Sequence, residues 1–404
     1  MIQYAHSSCV RKRPSVTASP SPARFSTRLA ALVSARTALN SAYRMIHPFL
    51  PAIARGLGVS LADVALIVSV RSLLGLFSPP LGSISDRLGR KIALLIGLAL
   101  FAASLIVVAV WPVYPVFFAA MILVMVGKLI FDSAMYALIG EQVAYARRGL
   151  AIAVAEMSWS LAFLIGMPAL GFMIERFGLR SPFPILAALG LVMAYVLWRI
   201  LPADAPHPDK HLPPLIDNLR IVVSHPVALA GISVGLLISM ANELVFIVYG
   251  DWMERTFDLS ISALGVASAV IGFAELGGEG LVAGLVDRIG KKRSVVIGAA
   301  LSAATCLVLP LVGATLPGAL IGLFLFFVTF EFTLVGSIPM MTELVPDARA
   351  TLMAGNAAGI SLGRALGALI GPLIFSGALI VNGGVAAALN IAALVVLIVL
   401  VKID

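Results

Sequence analysis

Apolar runs of about 20 residues recur from residue 29 to the C-terminus, parted only by short polar connectors. Each is long enough to cross a ~30 Å hydrocarbon core as a helix. With no water in that core to satisfy the backbone, a spanning chain must be helical or close into a barrel. Barrel strands would read as alternating segments of ~10 residues, and none occur. Charged residues make up only 12% of the chain, against roughly 25% in a soluble domain. The reading is an all-α, multi-pass membrane protein.

The hydropathy pattern predicts twelve spans, near 29–54, 61–82, 92–111, 114–139, 150–174, 182–201, 226–249, 260–283, 294–313, 317–341, 351–376 and 383–402. They group into two six-helix bundles, 28–201 and 226–404, behind a basic tail, 1–27, expected to be disordered. That tail is rich in Ser and Arg and free of acids, which also fits a targeting segment. Between the bundles, 202–225 is proline-rich and then amphipathic. Leu212, Leu215, Ile216, Leu219 and Val222 share a face, predicting a short helix on the membrane surface.

Of 28 Lys and Arg residues, Arg55, Arg176, Arg180 and Arg255 fall on one set of loops. Arg36, Arg44, Arg71, Lys128 and Arg364 lie within spans. The rest gather on the termini, the other set of loops and the span ends beside them. That asymmetry is a topology signal, which makes the basic side cytoplasmic, and not a footprint for nucleic acid. Both termini are therefore expected in the cytoplasm, with the chain in the cell (inner) membrane. Cys9 and Cys306 are too far apart in sequence for a disulfide framework. His207 and His211 stand in a proline-flanked "HPDKH" that does not favour a shared helical face. No phosphate-binding G-x-x-x-x-G-K-[ST] loop occurs. Neither a cofactor, a metal nor an enzymatic activity is expected.

Two polar stretches interrupt the apolar pattern, "GSISDRLGRK" at 82–91 and "GLVDRIGKKR" at 284–293, with Asp86 and Asp287 separated by 201 positions. A second echo, "EQVAYAR" at 141–147 and "ELVPDAR" at 343–349, shares E-x-V-x-x-A-R at an offset of 202. Both echoes fall at equivalent connectors. The chain reads as a duplicated six-helix unit with like-oriented copies, an organisation suited to halves that rock about a midplane site.

On these residues the chain resembles the major facilitator superfamily. Gly82, Asp86, Arg87, Gly89, Arg90 and Lys91 match its loop signature G-x-x-x-D-R-x-G-R-K. The second copy keeps Asp287, Arg288, Gly290, Lys291 and Lys292 but has Ala283 in place of the leading glycine. The resemblance implies a transporter working by alternating access, with Asp86 as a latch that closes the cytoplasmic side. It also implies gating roles for Gly82, Asp86, Arg87, Gly89, Arg90, Asp287, Arg288 and Gly290. Within the superfamily the chain is similar to drug–proton antiporters, with two departures. Their fifth-helix Gly/Pro motif reads "GMPALG" at 166–171, and their R-x-x-x-G on the fourth helix reads Lys128 to Asp132.

An ionisable side chain mid-membrane is costly, so it needs a partner or a wet cavity. Besides the five bases, the spans hold Asp132, Glu156, Glu243, Glu275, Glu279 and Glu331. On span 1, Arg36, Asn40, Tyr43, Arg44 and His47 form one helical stripe. Lys128, Asp132 and Tyr136 form another on span 4, and Ser239, Asn242, Glu243 and Phe246 cluster on span 7. Helices 1, 4, 7 and 10 line the cavity in the resembling family. Asn40, Tyr43, Arg44, Tyr136, Asn242 and Phe246 are therefore the candidate solute contacts, and Asp132, Glu243 and Glu331 the candidate proton carriers. Arg44 reads either as an anion anchor or as a partner for Asp132 or Glu243. Arg364 is expected near Glu331, and Glu275 and Glu279 in gating. Gly363, Gly367 and Gly371, four apart, predict close helix packing.

The function expected is proton-coupled efflux of a small organic solute by a monomer among membrane lipids. An uptake symporter for an organic anion or sugar-like solute is the first rival, and a lipid scramblase or sensor on the same fold the second.

Overall fold

The computed structural model describes residues 22–202, 224–345 and 349–401. The tail up to residue 21, most of the amphipathic linker with its "HPDKH", and the middle of the second E-x-V-x-x-A-R echo lie outside these residues. Among the described residues the chain is helical, without strands. Ten helices are long and apolar enough to cross a membrane, from Arg90–Val110 to Ile380–Val399. The first two expected spans are helical but broken. Span 1 divides into Pro22–Arg44 and Ile46–Leu57, where Pro48 and Pro51 remove backbone donors. Span 2 runs as Leu61–Leu73, a tight turn Leu74–Phe77, and Ser78–Leu88, which opens on two prolines.

The duplication is visible in backbone detail. Gly58 and Asp258 both end helices in the left-handed region, at φ 68° and 49°. Ser60 and Ser260 both cap the helix that follows, accepting from the backbone N–H of Asp63 and Ala263. Gly89 and Gly290 both adopt positive φ, 95° and 97°, at the turns after Ser78–Leu88 and Ala269–Ile289. Such a turn strains any residue with a Cβ. The two sequence echoes also meet within each half. Arg90 donates to Glu141 (2.9 Å) and to Asp86 (2.7 Å), and Lys291 pairs with Glu343.

The halves touch closely on the face away from the basic loops. Helix Met167–Phe177 crosses Ile261–Ala267, and Ile46–Leu57 lies against Tyr249–Phe257. A Cβ on Gly265 would come within 2.6 Å of the Met167 carbonyl, and one on Gly171 within 2.8 Å of that of Ile261. The "GMPALG" run therefore builds the crossing of spans 5 and 8. Span 5 enters that crossing through a π-turn, Ala162–Gly166, just before Pro168. Arg55–Glu254 (2.7 Å) ties the same face. Deeper in, Ser69 donates to the Ala365 carbonyl, joining span 2 to span 11. The stripe Gly363, Gly367 and Gly371 packs directly on the backbone of Leu236, Met240 and Leu244, the close approach its spacing predicts.

Candidate functional site

Between the halves lies a chamber of about 520 Å³. Near the basic-loop ends of their helices its wall includes Ala153 and Ile338, both exposed. The chamber thus opens towards the basic loops and is shut on the opposite face. Aromatic side chains (Tyr43, Trp159, Phe246, Phe327 and Phe330) form much of its surface, and a ring of charges forms the rest.

In the N-terminal half those charges are tied to one another. Arg36 donates through Nε to Asp132 (2.9 Å), through Nη2 to the Tyr136 hydroxyl (2.6 Å), and lies 3.1 Å from Glu156. Lys128, one turn before Asp132, donates to its other oxygen (2.5 Å). Tyr136 in turn donates to Glu156. The stripes predicted on spans 1 and 4 therefore face each other and largely neutralise each other.

Two further pairs cross between the halves. Arg44 forms a bidentate bridge with Glu275 (2.8 and 2.5 Å), its guanidinium held between the Trp159 and Phe163 rings at 4.1 Å from each. This fork geometry is specific to arginine. His47 Nε2 lies 2.8 Å from Glu243, and its ring stacks on Phe246 at 3.9 Å. His47 Nδ1 faces the Arg44 carbonyl at 3.3 Å. Each ring nitrogen of His47 thus faces an oxygen acceptor.

Two wall acids stand apart. Glu279 and Glu331 form no ion pair within 4.0 Å among the described residues, although Glu331 is only 8% exposed. Arg364 makes none either and lies 5.9 Å from the Trp159 ring.

Several expectations change. Arg44 pairs with neither Asp132 nor Glu243 but with Glu275, which lines the chamber. Arg364 does not bridge to Glu331. Of the candidate solute contacts, Tyr43, Arg44, Asn242 and Phe246 line the chamber together with Asp132, Glu243 and Glu331. Asn40 is buried behind the wall on Ser158 (3.3 Å), and Tyr136 lies beside it on Arg36. Among the loop residues, Gly82 lies in Ser78–Leu88, where Asp86 and Arg87 are exposed at its end. Asp86 is bound to Arg90 of its own half. Asp287, Arg288 and Gly290 lie at the corresponding turn, where Asp287 and Gly290 line a surface hollow with Glu343, Lys291 and Lys292. Sequence reading missed Trp159, the ring around which Arg44, Lys128 and Arg364 gather. Its place one turn after Glu156 was the available signal.

Two helical bundles enclosing a charged, aromatic chamber define a solute-translocating membrane protein. A model described as Major Facilitator Superfamily matches residues 34–248 and 231–403, and the chain belongs to that family of secondary transporters. It is similar to the uncharacterized MFS-type transporter YceJ of Bacillus subtilis (strain 168), 26% identical over 341 residues, 82% of this chain and 85% of that protein. Multidrug resistance protein 2 of the same organism is 23% identical over 343 residues, covering 82% and 84%. Among solved structures, a bacterial homolog of the human lysosomal transporter Spinster, inward-facing and unoccupied, aligns with a TM-score of 0.69 at 16% identity, covering 95% and 96%. That likeness concerns the fold alone.

Proposed function

We propose that the protein exports a small amphipathic organic solute bearing positive charge, in exchange for protons. The observation that carries this reading is the pair of wall carboxylates, Glu279 and Glu331, left without ion-pair partners while the other four wall acids are bound. Beside the Phe327 and Phe330 rings, they offer a cationic solute both charge and apolar cover. A proton neutralises the same oxygens, so solute and proton compete for one place. Such competition drives exchange when the chamber faces each side in turn. Release to the far side requires the closed face to part, which breaks Arg44–Glu275 and His47–Glu243. Protonation of Glu243 weakens the second of these. The similarity to Multidrug resistance protein 2 favours efflux over uptake. The basic-loop face is taken as cytoplasmic, in the cell membrane, and each monomer holds a complete chamber.

The test is flux in proteoliposomes under an imposed proton gradient, with a panel of aromatic amines. The expected outcome is amine movement opposite to the protons, abolished by Glu331→Gln and reduced by Glu279→Gln. Amine movement in the same direction as the protons would assign the symporter reading. Undiminished proton-driven flux in both variants would remove these carboxylates from the mechanism.

A further inference from the structure

Spans 2, 7 and 11 meet behind Tyr43, and their charges do not balance there. Arg71 is fully buried, and none of its three side-chain nitrogens has a hydrogen-bond partner in the protein. Its guanidinium lies over the Tyr43 ring at 4.0 Å. Tyr43, Glu243 and Arg364 are its electrostatic neighbours. The Ser69–Ala365 hydrogen bond fixes span 2 against span 11 right beside Arg71 and Arg364. Gly367 seats the Glu243 stem against span 11, one turn beyond Arg364. Glu243 is engaged by His47, and Arg364 also has Glu331 as an electrostatic neighbour.

Guanidinium does not give up its proton in a protein, so Arg71 cannot escape burial by becoming neutral. A ring face offsets only part of the cost of desolvating it. Glu243 is held by His47 and Glu331 lies on the Arg364 side, so Arg71 is the cation left without a carboxylate of its own. On span 7, the Ser239 hydroxyl and the Asn242 amide nitrogen, which flank Glu243 in sequence, also lack partners.

From this geometry we infer an anion-binding subsite where spans 2, 7 and 11 meet, which takes one compact monovalent anion between Arg71 and Arg364. The Arg71 guanidinium, left without a hydrogen-bond partner in the protein, sets the valence. The anion is either a free halide or the carboxylate of a bound solute. The inference does not rest on the transport direction or on the roles of Glu279 and Glu331.

The test uses the purified full chain in detergent, exchanged into sodium sulfate and titrated at constant ionic strength with sodium chloride or, separately, sodium acetate. Binding to the folded state raises Tm saturably. A rise of a few degrees with chloride assigns a free halide, and a rise with acetate alone assigns a carboxylate. Arg71→Gln should abolish either response, Arg71→Lys should retain part of it, and Arg364→Gln should shift it to higher anion concentration. Arg71→Gln should also match or exceed the wild-type Tm in sulfate, because it removes an uncompensated buried charge. Absence of both anion responses in the wild type, or a full response in Arg71→Gln, would overturn the subsite. A lower Tm for Arg71→Gln in sulfate would also count against it, by showing that the protein itself already satisfies this charge.

Discussion

The two halves of the chamber wall solve the same problem, charge inside a membrane, in opposite ways. On the N-terminal side Arg36, Lys128, Asp132, Tyr136 and Glu156 bind one another, so these five groups are neutralised within their own bundle, and only Arg44 and His47 of that wall reach across. On the C-terminal side the acids are either lent across the interface, as Glu243 and Glu275 are, or left unpaired, as Glu279 and Glu331 are. A network closed within one rigid bundle survives when the bundles rock apart. Pairs that straddle the interface must break, and unpaired carboxylates respond to whatever enters. The first half therefore serves as the fixed frame and the second carries the responsive groups.

The largest effect separates these roles. Asp132→Asn leaves Lys128 and part of Arg36 uncompensated in a buried setting, where breaking an ion pair costs about 3–5 kcal/mol. Glu331→Gln removes an acid that has no ion-pair partner, so its stability should equal or exceed that of the wild type while proton-driven flux disappears. Thermal unfolding and flux measured on the same preparations check both. If Glu331→Gln unfolds as readily as Asp132→Asn, the division between frame and responsive groups is wrong.

A smaller effect compares equivalent close contacts. In the C-terminal half span 11 meets span 7 backbone to backbone, and a Cβ on Gly363 would lie 2.2 Å from the Leu236 carbonyl oxygen. In the N-terminal half span 5 meets span 1 through Gly166, whose Cβ would strike first the Ser41 hydroxyl, also at 2.2 Å. A hydroxyl can turn away, whereas a backbone carbonyl held in a helix cannot. Gly363→Ala is expected to cost about 1–3 kcal/mol, as overpacking does, and Gly166→Ala distinctly less. Denaturant titration of the two variants decides it, and equal losses would mean that Ser41 is as immobile as backbone.

Much of this architecture was legible in the sequence because hydropathy and internal repetition report directly on burial and on duplication. The loops around Asp86 and Asp287 gave the duplication, and the polar stripes on spans 1, 4 and 7 gave the chamber. Pair partners were not legible. Helical spacing shows that Arg36 and Arg44 share a face, but not that one meets Asp132 of its own bundle and the other Glu275 of the opposite one. Arg71 and Arg364 read as ordinary members of a balanced set of charges. Only the meeting of spans 2, 7 and 11 reveals that Arg71 is buried there with no hydrogen-bond partner.

The smallest effect tests whether the halves also differ at their signature loops. Arg90 is buried, with a side chain 7% exposed, and binds both Asp86 and Glu141. Its counterpart Lys291 is 36% exposed and holds Glu343 alone among the described residues. Removing Arg90 takes a buried cation away from two half-exposed carboxylates, so Arg90→Ala should cost about 1–1.5 kcal/mol, the upper end for a typical hydrogen bond. An exposed lysine pair contributes about 0.2–1 kcal/mol, and Lys291→Ala should fall there, with most of its effect gone in high salt. Since Asp86 is the acid with a latch expected of it, losing Arg90 should also slow exchange more than losing Lys291 does. Matched unfolding and exchange measurements at low and high salt check the pair of variants. Equal, salt-insensitive losses would show that the second loop is anchored as firmly as the first, and the asymmetry between halves would then stop at the chamber wall.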